Sequence, residues 1–170
     1  TPEPHRYYFW SNSAFPARPQ TRFVSPARYQ TDHSGSYVYT WPVHDGVDLS
    51  WDRNNPDSQS YFGLDVPEDY FGAYDHEADA GLVHVADHRE VPGKKFWTWG
   101  QGGSSQRWVD TLTDDDGQYI EVQSGRFWNQ STWKQLQPQQ TAHWREWWYG
   151  VSGIGGFDYA EESGALSIQP

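Results

Sequence analysis

The sequence predicts an all-β chain folded as an antiparallel β-sandwich, and three observations support this. Short stretches alternate between apolar and polar residues with a period of two, as half-buried strands do. Sixteen glycines and 11 prolines interrupt the chain at short intervals. Apolar residues nowhere recur at i, i+3, i+4 and i+7 over three turns, so helix signals are weak. We therefore expect two antiparallel sheets packed face to face.

The individual elements follow from local patterns along the chain. The segments with strand or hairpin patterns are, in order, GSYVYTWPV, FGAYDHEADAGLVHVAD, KKFWTWG, GQYIEVQSG and TAHWREWWYGV. The second of these has a turn at its centre and predicts a strand–turn–strand unit. Two short stretches, VPEDYFG and WVDTLTDDDG, are the best helix candidates, and Gly117 would end the second.

The clearest strand is GQYIEVQSG, because its residues alternate without exception. It places Ile120 and Val122 on one face and Tyr119, Glu121 and Gln123 on the other. The segment KKFWTWG likewise places Trp97 and Trp99 on a common face. These strands therefore combine an apolar side with a side that is both polar and aromatic.

Composition and charge exclude several classes of function. The net charge of −11 opposes binding to nucleic acid, because phosphate contacts need a basic surface. It equally opposes an anionic membrane, and no apolar run approaches the length of a membrane span. The chain has no cysteine, so disulfides and thiolate chemistry are excluded. No nucleotide-binding or serine-hydrolase motif occurs, and we expect no cofactor. A neutral ligand remains compatible with this chain.

The high aromatic content, 18% of the residues with 11 tryptophans, points to one such ligand. A pyranose has an apolar C–H face and a hydroxylated rim, so it needs both flat rings and directional donors and acceptors. A concave sheet lined with both is a plausible carbohydrate site. The alternative is that the tryptophans form the core and the amides face solvent. The candidate substrate-binding residues are Trp97, Trp99, Lys95, Tyr119, Gln123, Trp128 and Trp147.

Glu121 is the leading catalytic candidate, because it is the only acid in its strand and has ring and amide neighbours. Such a carboxylate suits general acid or base chemistry, although an exposed strand face also tolerates a glutamate. His84 and His76 are the accompanying candidates, and each could instead be a structural histidine.

No metal site is expected. His84 and His88 are two alternations apart, about 13 Å along a strand, so they cannot share an ion unless the strand ends between them. The acidic run Asp114–Asp116 lacks the spacing of a calcium loop and is better explained as a solvated turn.

Several segments resemble a bacterial domain family of uncharacterised function that is often joined to tetratricopeptide repeats. The segments are RYYFWSNSAFP, TRFVSPARYQTDHSG, TWPVHDGVDLS, YFGAYDHEADAGLVHVADHREVPGKKFWTWG, DDDGQYIEVQSG and LQPQQTAHWREWWYGVSGIGG. They occur in order over nearly the whole chain. The resemblance implies a galactose-mutarotase-like supersandwich, a fold found among aldose epimerases and in accessory domains of polysaccharide-degrading enzymes.

In epimerases of that superfamily a histidine acid and a glutamate base open and reclose the sugar ring, which matches Glu121 with His76 or His84. Such folds are longer than this chain. The resemblance therefore implies that residues 1–170 form a single domain, the C-terminal part of a larger supersandwich. An incomplete sandwich leaves a sheet edge open, so self-association or a second chain that completes the sheet is expected. The family also implies a bacterial cytoplasmic or periplasmic location.

Three functions remain open at this point. The first is a carbohydrate-active enzyme, either epimerase-like or a glycoside hydrolase. A hydrolase would need a second carboxyl beside Glu121, from Asp75, Glu77 or Glu146. The second is a non-catalytic carbohydrate-binding module, and the third is a structural or assembly domain of a larger protein.

Overall fold

The computed structural model describes residues 4–168, and this part of the chain is an antiparallel β-sandwich, as predicted. The strands are β1 (His5–Tyr7), β2 (Trp10–Pro16), β3 (Thr21–Val24), β4 (Tyr29–Thr31), β5 (Val38–Thr40), β6 (Val43–His44), β7 (Val47–Asp48), β8 (Gln59–Leu64), β9 (Tyr70–Asp75), β10 (Ala80–Val85), β11 (Gly93–Thr98), β12 (Tyr119–Gly125), β13 (Lys134–Leu136), β14 (Trp147–Ser152), β15 (Tyr159–Glu161) and β16 (Gly164–Leu166). One α-helix, α1 (Gln106–Leu112), and two short 3₁₀ turns complete the described elements.

Two sheets dominate the architecture. The larger has six strands in the order β2-β12-β11-β8-β4-β5, and the smaller has four in the order β14-β10-β9-β3. Between them lies a core of buried rings and aliphatic side chains that includes Phe23, Phe71, Phe96, Ile120 and Val122. Aromatic side chains therefore fill much of the space that aliphatic residues fill in most cores.

The four-stranded sheet is covered on both faces. Tyr70, Tyr74, Val83 and Val85 point away from the first core and pack against the C-terminal segment, where Phe157 is buried. This second core explains why β9 is buried along its whole length. The outer face of the six-stranded sheet, by contrast, carries polar residues.

The predicted strand–turn–strand unit is the β9–β10 hairpin. Its turn is held by Asp75, whose carboxylate accepts hydrogen bonds from the main-chain N–H groups of Glu77 and Ala78 at 2.9 and 3.2 Å. Asp79 then adopts a left-handed conformation, with φ of 49°, which aspartate tolerates better than most residues.

Two local predictions need correction. The stretch VPEDYFG is not helical, because it leads directly into β9, whose residues pack on both faces of the sheet. The helix predicted in WVDTLTDDDG exists but ends at Leu112, not at Gly117. The Thr113 main-chain N–H still bonds Val109 while Thr113 itself is extended, so the acidic run lies outside the helix.

Candidate functional site

The outer face of the six-stranded sheet presents a regular grid of side chains, because neighbouring strands pair in register. Glu121 on β12 pairs with Trp97 on β11 and with Ala14 on β2. In the next row, Gln123 lies between Lys95 and Asn12. We call the surface formed by Asn12, Lys95, Trp97, Glu121, Gln123 and the nearby Gln130 the polar–aromatic face.

A continuous chain of hydrogen bonds links these polar groups. Lys95 Nζ donates to Gln130 Oε1 at 3.0 Å, and Gln130 Nε2 donates to Gln123 Oε1 at 2.8 Å. Gln123 Nε2 then donates to Glu121 Oε2, which also accepts from Asn12 Nδ2 at 3.3 Å. The amides are therefore oriented, so the face presents donors and acceptors in fixed positions.

The sequence patterns predicted Lys95, Gln123 and Glu121 as site residues but did not predict Asn12 and Gln130. Asn12 could have been found, because WSNSAFP alternates and places it on one face of β2 with Trp10 and Ala14. Gln130 lies in a turn beyond the end of β12, so no periodicity indicates where its side chain points.

Lys95 is the cation of this face and is only 5% exposed. Its Nζ lies 5.3 Å from the centre of the Phe62 ring and 5.5 Å from that of Trp97. Burial lowers the pKa of Lys95 to about 8, although the nearby Glu121 carboxylate opposes the change. The amine is therefore still mostly protonated at pH 7, but it loses its proton at a lower pH than an exposed lysine does.

The aromatic part of the face is a series of contacting rings. Trp97 meets Trp99 edge to face, with ring centres 5.2 Å apart, and Trp99 contacts Trp108 at 4.9 Å and Tyr119 at 6.1 Å. Trp97, Trp99 and Tyr119 are all half-buried. The rings thus hold one another in place while part of each remains at the surface.

Two glycines make room for another indole at the end of the grid. Gly93 and Gly125 pair across β11 and β12, and the Trp10 ring lies over both. A β-carbon on Gly125 would overlap this ring. Trp10 in turn contacts Phe62 at 5.8 Å, so this ring packs beside the residue that flanks Lys95.

His84, by contrast, lies inside the sandwich and is 1% exposed. Its Nε2 lies 3.1 Å from Glu146 Oε2, and its ring contacts Phe71 and Trp148. Burial lowers the pKa of His84, so the imidazole is neutral and Nε2–H donates to the carboxylate. The six-stranded sheet separates it from Glu121, and the predicted pairing of these two residues is not formed.

His76 lies on a third surface, directly after β9. Its ring contacts Trp51 at 5.3 Å and Tyr74 at 5.2 Å. It lines a cavity of about 570 Å³ that does not include Glu121. The three catalytic candidates are therefore not brought together.

Two of the predicted sugar-binding tryptophans also lie apart. Trp128 is 50% exposed and lines a shallow pocket with Val66 and His88. Trp147 belongs to the outer layer of the four-stranded sheet. Neither lies on the polar–aromatic face.

None of the proposed second carboxyls lies beside Glu121. Glu146 faces the interior, Asp75 is buried and bonded to Arg18 at 2.9 Å, and Glu77 is exposed in the β9–β10 turn. The carboxyl pair that a glycoside hydrolase needs is therefore not formed with any of these three.

Three ligand-type side chains, Asp69, Asp87 and His88, do approach one another within 4.8 Å. Their charges are already compensated, however. Arg89 bonds both oxygens of Asp87, at 2.9 and 2.6 Å, and holds the pKa of that carboxyl well below its usual range. His88 Nδ1 lies 2.8 Å from Asp69 Oδ1. This cluster is explained by the Arg89–Asp87 ion pair and the hydrogen bond between His88 and Asp69.

In residues 4–168, no helix has both the length and the apolar character that crossing a bilayer requires.

Stability should rise with pH above neutrality because of two buried lysines. Burial lowers the pKa values of Lys94 and Lys95 to about 8, from an ordinary 10.5. Between these values the unfolded chain binds more protons than the folded chain, so the free energy of unfolding increases, by about 2.5 kcal/mol for each lysine up to pH 10. Urea denaturation at several pH values measures this.

The variants Lys94→Met and Lys95→Met should each flatten that dependence, whereas the exposed Lys134→Met should leave it unchanged. The measurements stop near pH 10, because burial raises the pKa of Tyr61 above its ordinary 10.0. Above pH 10 the folded chain keeps a tyrosine proton that the unfolded chain loses, so the free energy of unfolding falls again. A wild-type stability that falls steadily from pH 8 would contradict the assignment.

Comparison with known proteins gives one family match and several similar structures. Residues 1–151 match the model of a domain of unknown function, DUF5107. A TPR-domain containing protein from Parabacteroides distasonis is 28% identical with a TM-score of 0.81, and the match covers 100% of this chain and 29% of that one.

Two further structures are more distant. The Slr1438 protein from Synechocystis is 11% identical with a TM-score of 0.55, covering 88% of this chain and 45% of that one. A Klebsiella pneumoniae protein provisionally described as an aldose 1-epimerase is 16% identical with a TM-score of 0.49, covering 88% and 38%. The chain thus spans less than half the length of each.

Proposed function

The chain belongs to DUF5107, a family of domains of unknown function, and on that premise we propose that its polar–aromatic face binds carbohydrate. One observation carries the proposal. An oriented chain of amides and a carboxylate runs directly beside Trp97 on the outer face of the six-stranded sheet, where Asn12 is exposed and Glu121 and Trp97 are half-buried. Sugar hydroxyl groups bond to the amides and the carboxylate, and the apolar face of the sugar ring packs on Trp97.

The shape of the face favours an extended ligand over a small enclosed one. On this face the grid runs through four pairs between β12 and β2, which are Tyr119 with Pro16, Glu121 with Ala14, Gln123 with Asn12 and Gly125 with Trp10. Alternate pairs are roughly 7 Å apart along a strand, so the row accommodates more than one sugar unit. An oligosaccharide is therefore the ligand class we propose.

Catalysis is the second candidate, favoured by the lowered pKa of Lys95 next to Glu121. An amine with a pKa of about 8 suits proton transfer at neutral pH. An epimerase-type pair of Glu121 with His84 or His76 receives no support from the positions of those histidines. A role as a structural domain of a longer protein is the remaining alternative, since the similar Parabacteroides protein contains TPR domains.

Titration with a panel of neutral oligosaccharides, followed by calorimetry, tests the proposal. Glu121→Gln should weaken binding about tenfold, because it removes a charged acceptor of ligand hydroxyl groups. Glu77→Gln, a change at an exposed turn, should bind as the wild type does.

Turnover measured on the same panel separates the two candidates. Turnover by the wild type that Glu121→Gln abolishes, beyond its roughly tenfold loss of binding, supports an enzyme, and binding by the wild type without turnover supports a binding module. If no oligosaccharide raises the melting temperature of the wild type at millimolar concentration, the carbohydrate proposal is wrong, since a ligand at 100 times its Kd adds about 2.7 kcal/mol.

A further inference from the structure

The cavity of about 570 Å³ beside β3 is separate from the polar–aromatic face. It opens along the edge strand of the four-stranded sheet and is closed on one side by the C-terminal segment around Phe157. Its volume falls in the range of small-molecule sites, which is about 300–1,000 Å³. Its lining combines aromatic residues that are almost fully buried, Phe23, Trp41 and Tyr70, with polar and charged residues.

Arg22 is the cation of this cavity and is held in place by its neighbours. Its Nε donates to Ser50 Oγ at 3.0 Å, and its guanidinium lies 5.3 Å from the Trp51 ring. The side chain is 38% exposed, and Nη2 is 3.9 Å from Asp48, a weak ion pair. Nη1 has no hydrogen-bond partner within residues 4–168, so a planar anion can still be bound there.

One further cation, Arg53, lies near Arg22 on a chain whose net charge is −11. The guanidinium of Arg53 lies 4.3 Å from the centre of the Trp51 ring, and the His76 ring lies 5.3 Å from it while lining the cavity. Burial lowers the pKa of His76 and the nearby Arg22 lowers it further, although Asp75 and Asp79 oppose the change, so this ring adds no positive charge at neutral pH.

The remaining polar wall is suited to hydroxyl groups. The carboxylate of Asp158 lines the cavity and accepts the main-chain N–H of Ile168 at 2.7 Å, leaving its other oxygen available. Ser25 and Ser50 also line the cavity, and the Ser50 hydroxyl is used within the protein, since it accepts from Arg22 and donates to Asp48. A simple anion would be repelled by Asp158, whereas a ligand that also carries hydroxyl donors would bond to it.

We propose that this cavity binds a hydroxylated carboxylate, a sugar acid, with its carboxylate on Arg22 and a hydroxyl group on Asp158. Pro42, which is exposed in the same lining, packs against the apolar face of the ring. This second site is independent of the polar–aromatic face, so the two can be tested separately.

The test is NMR titration of the labelled chain with D-glucuronate, D-glucose and acetate. Glucuronate should shift the signals of His76, Gly155 and Gly156 and bind at least tenfold more tightly than either control, because only it offers both charge and hydroxyls. Arg22→Gln should weaken glucuronate binding about tenfold, while Arg107→Gln, an exposed change on α1, and Glu121→Gln leave it unchanged.

Two substitutions of Ile168, at the rim of the cavity, test the proposal with variants that are expected to fold. Ile168 lines the cavity and is 69% exposed, so its side chain can be replaced at little cost to stability. Ile168→Asp should weaken glucuronate binding about threefold and Ile168→Lys should strengthen it by as much. Equal shifts with glucose and glucuronate, or no response of the cavity signals to any probe, would overturn the proposal.

Discussion

Replacing Glu146 with alanine is expected to lower the free energy of unfolding by about 4 kcal/mol, because it leaves several interior donors without their acceptor. The carboxylate accepts hydrogen bonds from Ser11 at 2.7 Å, His84 at 3.1 Å, Trp144 at 2.8 Å and Trp148 at 3.3 Å. Its side chain is only 10% exposed, so water cannot replace it for all four donors.

Thermal unfolding followed by circular dichroism measures this loss. A change of that size should lower the melting temperature by about 10 °C in a domain of this length. Glu162→Ala, which removes an exposed carboxylate, is the matched control and should change it little. A melting temperature for Glu146→Ala within the error of the control would show that the four hydrogen bonds do not hold the sheets together.

In Glu146→Ala, the free energy of unfolding should also depend less on pH in the acid range. Burial alone raises the pKa of Glu146, but hydrogen bonds from His84, Ser11 and Trp144 outweigh it and bring the pKa to about 2. Since this lies below the ordinary 4.5, the contribution is present above pH 4.5 and is lost as the pH falls towards 2. Glu146→Ala should lack that part of the acid dependence.

Replacing Trp97 with alanine is expected to weaken oligosaccharide binding about 50-fold, the largest effect on the proposed function. Trp97 lies between Glu121 and Ser60 in the grid and supplies the flat surface nearest to the carboxylate. Its loss removes the packing partner of the sugar ring but leaves the hydrogen-bonding groups in place.

Trp128→Ala is the control for this substitution, because that indole is exposed on another surface. Calorimetric titration of both variants with the best oligosaccharide of the panel compares them directly. Equal losses in the two variants, or a larger loss in Trp128→Ala, would place the sugar elsewhere on the molecule.

The sequence predicted the polar–aromatic face because one strand alternates over its whole length. Ile120 and Val122 are fully buried, and Glu121 lies on the opposite side with Gln123, as the pattern requires. The common face of Trp97 and Trp99 was predicted for the same reason and is confirmed. Periodicity thus predicted which side chains share a face of this sheet.

The position of His84 could not be predicted in this way. Alternation correctly separates it from Val83 and Val85, but the four-stranded sheet is covered on both faces. The pattern therefore does not tell which side faces the larger sheet. Its partner Glu146 is 62 residues away in the chain, and such a contact has no local signature.

The family resemblance is confirmed by the match of residues 1–151 to a domain of unknown function. The expectations that it implied for the rest of the molecule remain predictions, namely a larger supersandwich, self-association or a second chain, and a bacterial cytoplasmic or periplasmic location. Light scattering would test the expected self-association, since a clean monomer would count against it.

The most direct measurement of the central claim is an NMR titration that follows the indole N–H signals of the chain during addition of a neutral oligosaccharide. Signals of Trp97, Trp99 and Trp10 should shift together and saturate at one affinity, with Glu121→Gln weakening that affinity. Shifts confined to Trp128 and Trp133, with Trp97 unaffected at saturation, would contradict carbohydrate binding on the polar–aromatic face.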